Sequence, residues 1–251
     1  MNRWSWWAVG FGAYLAFTLA TFPAGTALRW FAPPSAAAAG VAGTLWSGSA
    51  ASLAVNGFTA EALRWRVRPL ALFLGRIAAS FEARIPDGFV SGDVAASFGG
   101  VRFSGLRGAT SLPALSGMLP VRGMRGQATV ALDTLALSNG WPSVVVGELK
   151  LVGLEAPPMI SDGSGALLAL GSYTLTFTPA PEGELAARIV DDGGPLEVAG
   201  TVNLDASRAY MIDLLVKPRP GAPEMLVEGL KIMTADPDPQ GRRQLSLTGS
   251  L

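Results

Sequence analysis

The feature that most constrains the fold is a two-residue alternation of apolar and polar side chains, which recurs from Val41 onward. In the clearest case, Tyr173, Leu175 and Phe177 alternate with threonines in the segment SYTLTFTP. Successive side chains of a β-strand point to opposite faces of a sheet, so this pattern indicates a strand with one apolar face. No helical stripe of comparable length follows Val41. The sequence therefore predicts a body that is mainly β.

Further segments alternate, and turn-forming residues separate them. AYMIDLLVKP (209–218) alternates in the same way, and three segments alternate less strictly: RIAASFEARI (76–85), GQATVALDTLAL (126–137) and PLEVAGTVNLD (195–205). Turn residues occur at 86–88, 138–142, 161–165, 181–183 and 191–194. The last of these, DDGG, joins two strand-like segments and predicts a hairpin tip. The apolar run SVVVG (143–147) is typical of a strand covered on both faces.

The way in which the strands combine is left open by the pattern. Gly43, Gly126 and Gly200 each open a similar segment, which suggests two or three diverged β units. We expect a large curved antiparallel sheet that stays open as a trough, forms a partial barrel or folds as a sandwich. The one helical candidate, LRWRVRPLALFLG (63–75), is interrupted by Pro69, and its first half alternates like a strand.

The N-terminal segment from Trp4 to Phe22 carries no charge. As a helix it would be roughly 29 Å long, close to the hydrocarbon thickness of a bilayer. We predict a single transmembrane anchor in residues 1–30, with the N-terminus in the cytoplasm because Arg3 precedes the segment. The alternative is a cleaved signal peptide with AGTA (24–27) as the processing site. The expected anchor side chains are Trp4, Trp6, Trp7, Phe11, Tyr14, Leu15, Phe17, Leu19 and Phe22.

Pro23 interrupts the helical pattern after Phe22, and residues 31–40 contain the run APPSAAAAG, which predicts a short linker. Residues 41–251 then form the β domain, which either reading of the N-terminus places outside the cytoplasm.

Composition argues against catalysis. The chain has no histidine and no cysteine, which excludes disulfides and every nucleophile activated by histidine. Ser47 and Ser49 lack the spacing of a nucleophile elbow. The acidic pairs 191–192 and 236/238 fall in turn-like segments. We interpret these carboxylates as solvated side chains of loops and not as catalytic or metal-binding groups. We predict no enzymatic activity, no cofactor, no metal site and no small-molecule substrate.

Charge is divided unevenly along the chain. Residues 1–125 contain 11 Lys/Arg and 4 Asp/Glu, which gives a net charge of +7. Residues 126–251 contain 8 Lys/Arg and 15 Asp/Glu, which gives a net charge of −7. The basic half is suited to anionic lipid headgroups or an acidic partner, and a dipolar solvated surface is the alternative. No basic cluster contains interleaved stacking aromatics, so nucleic acid is not an expected partner.

The chain resembles the type II secretion system protein N family. The resemblance runs from FPAGTAL (22–28) through GTLWSG (43–48), LRWRVRPLALFLGRI (63–77) and GWPSVVVGELKLVGL (140–154) to GPLEVAGTVNLD (194–205). The motif positions are Gly43, Leu45, Trp46, Ser47, Gly48, Trp65 and Pro69. It implies a non-enzymatic inner-membrane subunit with a periplasmic β domain, which contacts the bilayer and other subunits of the secretion pathway. The almost absent segment before Trp4 departs from the family and makes a cytoplasmic contact doubtful.

The GTLWSG opening also looks like that of AsmA-like periplasmic proteins, whose curved sheets enclose apolar grooves associated with lipid movement. By this fold-level analogy, a lipid-binding or lipid-transfer groove is the alternative function. In both cases we expect Trp46 on the first strand after the linker, where Gly43 and Gly48 allow the strand to bend. The side chain would pack on the sheet or contact a partner or lipid.

Overall fold

The computed structural model describes residues 3–31, 36–55, 58–116, 123–138, 140–157, 167–181, 183–207, 209–234 and 236–250. Two helices open the described chain, α1 (Arg3–Ala20) and α2 (Ala24–Phe31), and a third, α3 (Glu224–Met233), precedes the last strand. Short 3₁₀ helices span Pro69–Leu74 and Pro113–Leu115. Most of the other described residues form β-strands, as the alternation predicts.

The strands are β1 (Ala36–Ala39), β2 (Ala42–Gly43), β3 (Ser47–Val55), β4 (Phe58–Val67), β5 (Ile77–Ile85), β6 (Gly88–Ser97), β7 (Gly100–Ser111), β8 (Arg125–Ser138), β9 (Trp141–Ala156), β10 (Leu168–Thr178), β11 (Leu185–Gly193), β12 (Leu196–Leu204), β13 (Ala209–Pro218) and β14 (Arg243–Ser250). From β3 to β14, each strand pairs antiparallel with the next. β1 and β2 lie end to end along the outer side of β3. In the described residues the first and last strands do not pair, so the sheet is open.

The two faces of this sheet differ in chemistry. Cross-strand partners share a face. The register pairs Trp65 with Phe81, Val94 with Phe103, and Phe103 with Leu135, which makes one face apolar. The residues next in sequence make the other face polar: Arg66, Ser80, Asp93, Ser104 and Thr134. The alternation read from the sequence is therefore the cause of a two-faced sheet.

Small elements cover the apolar face in places. Near the β7–β8 connection, the 3₁₀ helix Pro113–Leu115 covers a cluster built on Leu112 and Leu154. Farther along, α3 packs Leu226 and Leu230 against Val216 and its neighbours. The accessible surface is 16061 Å², whereas a compact monomer of this mass would expose about 10,500 Å². Most of the excess follows from a single sheet layer with two accessible faces.

Several sequence-based expectations are confirmed and others need correction. AYMIDLLVKP forms β13, and DDGG forms the β11–β12 hairpin. The helix α3 was not expected after Val41, and the sheet begins at β1, inside the predicted linker. In SVVVG, Ser143 and Val145 on one face are buried, whereas Val144 and Val146 on the other face are half-buried.

The three glycines that open the predicted β units occupy different positions within their strands. Gly43 ends β2, Gly126 is the second residue of β8, and Gly200 lies within β12. The division into β units therefore stays a prediction.

The N-terminal helix includes the expected anchor positions from Trp4 to Leu19, and Phe22 follows its end. α1 is 18 residues long and includes the charged Arg3. Within the described ranges, no helix combines the length and the apolar character that a membrane crossing requires. The prediction of a single-pass anchor is accordingly not supported.

Candidate functional site

The residues of the GTLWSG motif join the N-terminal helices to the sheet. Trp46 lies in the bend before β3, not on a strand as expected, and its indole N–H donates to the Leu19 carbonyl near the end of α1 at 2.7 Å. The Leu45 N–H donates to the Phe22 carbonyl at 2.9 Å. The Leu19 carbonyl lies in the last turn of α1, where carbonyls have no partner inside the helix. The Trp46 indole supplies it with a hydrogen-bond donor. We call this contact region (residues 19–23 with 44–46) the helix–sheet junction.

Close packing explains the two glycines of the motif. Gly43 has φ of 91°, and a Cβ there would lie 2.5 Å from the Ser47 carbonyl oxygen. A Cβ on Gly48 would lie 2.4 Å from Cζ2 of Trp65 and 2.8 Å from the Ala42 oxygen. Real Cβ atoms do not approach this closely, so both positions require glycine.

Trp65 completes the same region from β4. Its indole N–H donates to the Leu45 carbonyl at 3.1 Å, and the neighbouring Val67 N–H donates to the Trp46 carbonyl at 2.7 Å. The motif residues separated by almost twenty positions in sequence therefore meet at one end of β3 and β4. Pro69 starts the 3₁₀ helix that follows β4 at this end.

An apolar groove of about 830 Å³ opens beside the junction on the apolar face of the sheet. Every lining residue is apolar, and α2 forms one wall through Ala24, Ala27 and Leu28. Phe81 and Phe103 contact each other edge to face in its floor, with ring centroids 6.3 Å apart. The rest of the floor includes Leu45, Leu63, Trp65, Val67, Val94 and Ile77. A groove of this size and chemistry is suited to an apolar ligand segment.

The acidic residues singled out from the sequence have structural partners. Arg219 pairs with Asp191, whose side chain is 7% exposed, and also donates to the carbonyls of Gly194 and Leu196 at 3.0 Å. Burial would raise the pKa of Asp191, but the Val198 N–H and the Arg219 guanidinium outweigh it and hold that pKa below its ordinary value. Burial, reinforced by the charge of Asp191, raises the pKa of Tyr173.

The other candidates lie apart from this pair. Asp192 bonds Thr174, and Asp238 bonds Arg242 at 2.9 Å in the loop before β14. In the part of the chain that the structure describes, no three acidic side chains cluster as metal ligands would. The position of the groove and the ion pair of Arg219 are the features that sequence reasoning missed. The alternation in β4, β5 and β7 contained the signal for the groove, because it predicts which side chains share a face.

Comparison with known proteins identifies the family of the chain. A profile of the family described as Type II secretion system (T2SS), protein N matches residues 34–246. The chain belongs to the type II secretion system protein N family. The type II secretion system protein N of Aeromonas hydrophila is 29% identical over 249 residues, with 95% of each chain covered. No solved structure was found to match. Family membership makes the protein a component of the type II secretion pathway and associates it with the cell envelope.

Proposed function

We propose that the protein is a non-enzymatic accessory subunit of type II secretion, located at the inner membrane with its sheet in the periplasm. The observation that carries the proposal is the extent of the family match, residues 34–246, which runs from before β1 into β14. The family match contains nearly all of the sheet, and the match to the Aeromonas hydrophila relative extends into the N-terminal helices as well. We therefore infer that the sheet is the part that serves the secretion apparatus, by contact with neighbouring subunits.

The free edge of β14 (Arg243–Ser250) is the part of the sheet best suited to such a contact. β14 pairs with β13 on one side, and its other side has no strand partner in the described residues. An unpaired edge presents a row of backbone donors and acceptors to which a strand of another chain adds readily. The apolar face reaches this edge, where Leu247 is 42% exposed. We propose that a strand from another secretion subunit pairs there.

Site-specific cross-linking in cells tests the contact. The chain contains no cysteine, so Thr248→Cys introduces a single thiol on the exposed edge. Thr129→Cys, an exposed position within the central strand β8, is the matched control. We expect a bifunctional thiol reagent to join the Thr248→Cys protein, and not the control, to another secretion subunit. Two outcomes would count against the proposal: equal cross-linking from both positions, or cross-linked products that contain no secretion subunit.

A second function, lipid binding, is favoured by the open apolar groove of about 830 Å³. Burial of an acyl chain in it would contribute about 0.8 kcal/mol per methylene. Leu63 lines the groove, whereas its neighbour Arg64 is exposed on the other face. Native mass spectrometry of the purified protein is expected to detect bound lipid in the wild type and in Arg64→Glu, but not in Leu63→Glu. A wild type without lipid would refute this function and leave the first one unaffected.

A further inference from the structure

We propose that the end of the sheet around the β4–β5 loop is a bilayer contact. In this docking edge, defined as residues 66–77 with Phe98 and Arg102, apolar side chains enter the interfacial layer and arginines meet anionic headgroups. The inference does not rest on the role in secretion.

The docking edge exposes large apolar side chains that the fold does not use. Phe73 is 88% exposed, Leu70 77% and Leu74 70%. Phe98, in the turn between β6 and β7, is fully exposed. Single exposed apolar residues are ordinary, but a group of this size marks an interaction surface.

Local hydrogen bonds hold these side chains outward. Ala71 is the one buried residue of the 3₁₀ helix Pro69–Leu74. Its N–H donates to the Arg68 carbonyl at 3.1 Å, and Gly75 donates to Leu72 at 2.9 Å. Gly75 ends the helix with φ of 68°. The loop is therefore an ordered turn that presents apolar side chains, so little conformational entropy is lost when it enters a bilayer.

The strand register places the loop and Phe98 at the end of the sheet where α1 arrives. Ser47 pairs with Arg66, and Ile77 pairs with Ala96, so the start of β3, the end of β4 and the end of β6 coincide. The Val67 N–H also bonds the Trp46 carbonyl, and the Trp46 indole bonds α1. The β4–β5 loop and Phe98 therefore lie at the same end of the sheet, beside the end of α1.

The charge of the docking edge indicates which surface it fits. Arg66, Arg76 and Arg102 are exposed around the apolar side chains, and Arg68 is 60% exposed beside Asp93, with which it pairs at 2.8 Å. Apolar side chains ringed by arginines are typical of segments that lie in the interface of an anionic bilayer. Four of the 11 cations in residues 1–125 thus lie at this edge.

Depth-dependent fluorescence quenching tests the proposal on the full chain. The protein is reconstituted into vesicles of phosphatidylethanolamine and phosphatidylglycerol, with a polarity-sensitive dye on a single cysteine. Phe73→Cys and Phe98→Cys report on the docking edge. Phe89→Cys is the matched control, because Phe89 is 50% exposed near the β5–β6 turn at the opposite end of the sheet.

We expect lipids with spin-labelled tails to quench the dyes at positions 73 and 98 several-fold more than the dye at 89, with aqueous iodide giving the reverse order. Arg76→Glu should reduce the tail quenching at 73, whereas Arg84→Glu, at the opposite end, should not. Iodide quenching at 73 equal to that at 89 would overturn the proposal. Protection of position 73 from both quenchers would also overturn it, because a protein surface would then cover the edge.

Discussion

Packing and hydrogen bonding explain the single residues of the junction. Trp65 lies against the backbone at Gly48, and the indole of Trp46 holds the end of α1. Ser47 contributes backbone groups: its N–H bonds Thr44 Oγ1 at 3.2 Å, and its carbonyl accepts from the Thr44 N–H at 2.9 Å. The motif is thus a structural connection between helix and sheet.

Gly48→Ala is expected to destabilise the protein by about 1–3 kcal/mol, because the added methyl would overlap the Trp65 ring. Urea unfolding followed by tryptophan fluorescence measures the change. Gly99→Ala is the control and should change stability by less than about 0.5 kcal/mol, since its Cβ would meet nothing closer than 4.0 Å. Equal effects of the two substitutions would contradict the explanation of the motif.

Trp46→Phe keeps the ring but removes the indole donor to Leu19. We expect a loss of about 1 kcal/mol, the usual contribution of one hydrogen bond, and faster amide exchange at Leu45. Hydrogen–deuterium exchange with mass spectrometry resolves the peptide around residue 45. Trp7→Phe, at a 79% exposed position of α1, should leave that exchange unchanged. Equal amide-exchange rates at Leu45 in Trp46→Phe and Trp7→Phe would contradict this role of the Trp46 indole.

At the scale of elements, strands with strict alternation were predictable and short helices were not. Tyr173, Leu175 and Phe177 lie within β10, as the pattern indicates. The sequence pattern did not predict α3, because this helix has only ten residues and contains Gly229, which lowers its helix propensity. Its packing on β13 stabilises it, and such tertiary contacts are not evident from local sequence. β1 is four alanines, whose strand conformation depends on pairing with β3.

The hairpin β11–β12 depends on the pair Asp191–Arg219, so its stability should depend on pH. The pKa of Asp191 is lowered in the folded protein from about 3.8. A lowered pKa means that the stabilisation is present above the unfolded pKa and is lost as the pH falls through the folded value. Near neutral pH, Arg219→Met should cost about 1–2 kcal/mol, an estimate that allows for the partial exposure of Arg219.

Urea titrations at a series of pH values between neutral and strongly acidic measure this difference. The difference in the free energy of unfolding between the wild type and Arg219→Met should become smaller as Asp191 becomes protonated. Arg188→Met removes an exposed cation from the same hairpin and should behave like the wild type. A gap that stays constant down to the lowest pH would refute the role of the ion pair.

At the scale of the whole molecule, the protein is a single antiparallel sheet whose apolar face is only partly covered. The sequence left open whether such a sheet closes, because closure depends on the twist summed over all strands and on pairing between the two ends of the chain. The sequence offered an apolar groove only by analogy, and the position of the groove could not be derived for a related reason. Its residues come from α2, from the bend at Leu45 and from six strands between β1 and β7, which only the folded sheet brings together. The open edge and the apolar groove are the two surfaces on which we base the function.

The most direct measurement is the amount of type II substrate released into the medium by a strain that lacks the gene. We predict that secretion falls, with substrate retained in the periplasm, and that the wild-type gene restores it. A deletion strain that releases every substrate at the normal level would contradict the central claim that this sheet serves the secretion apparatus.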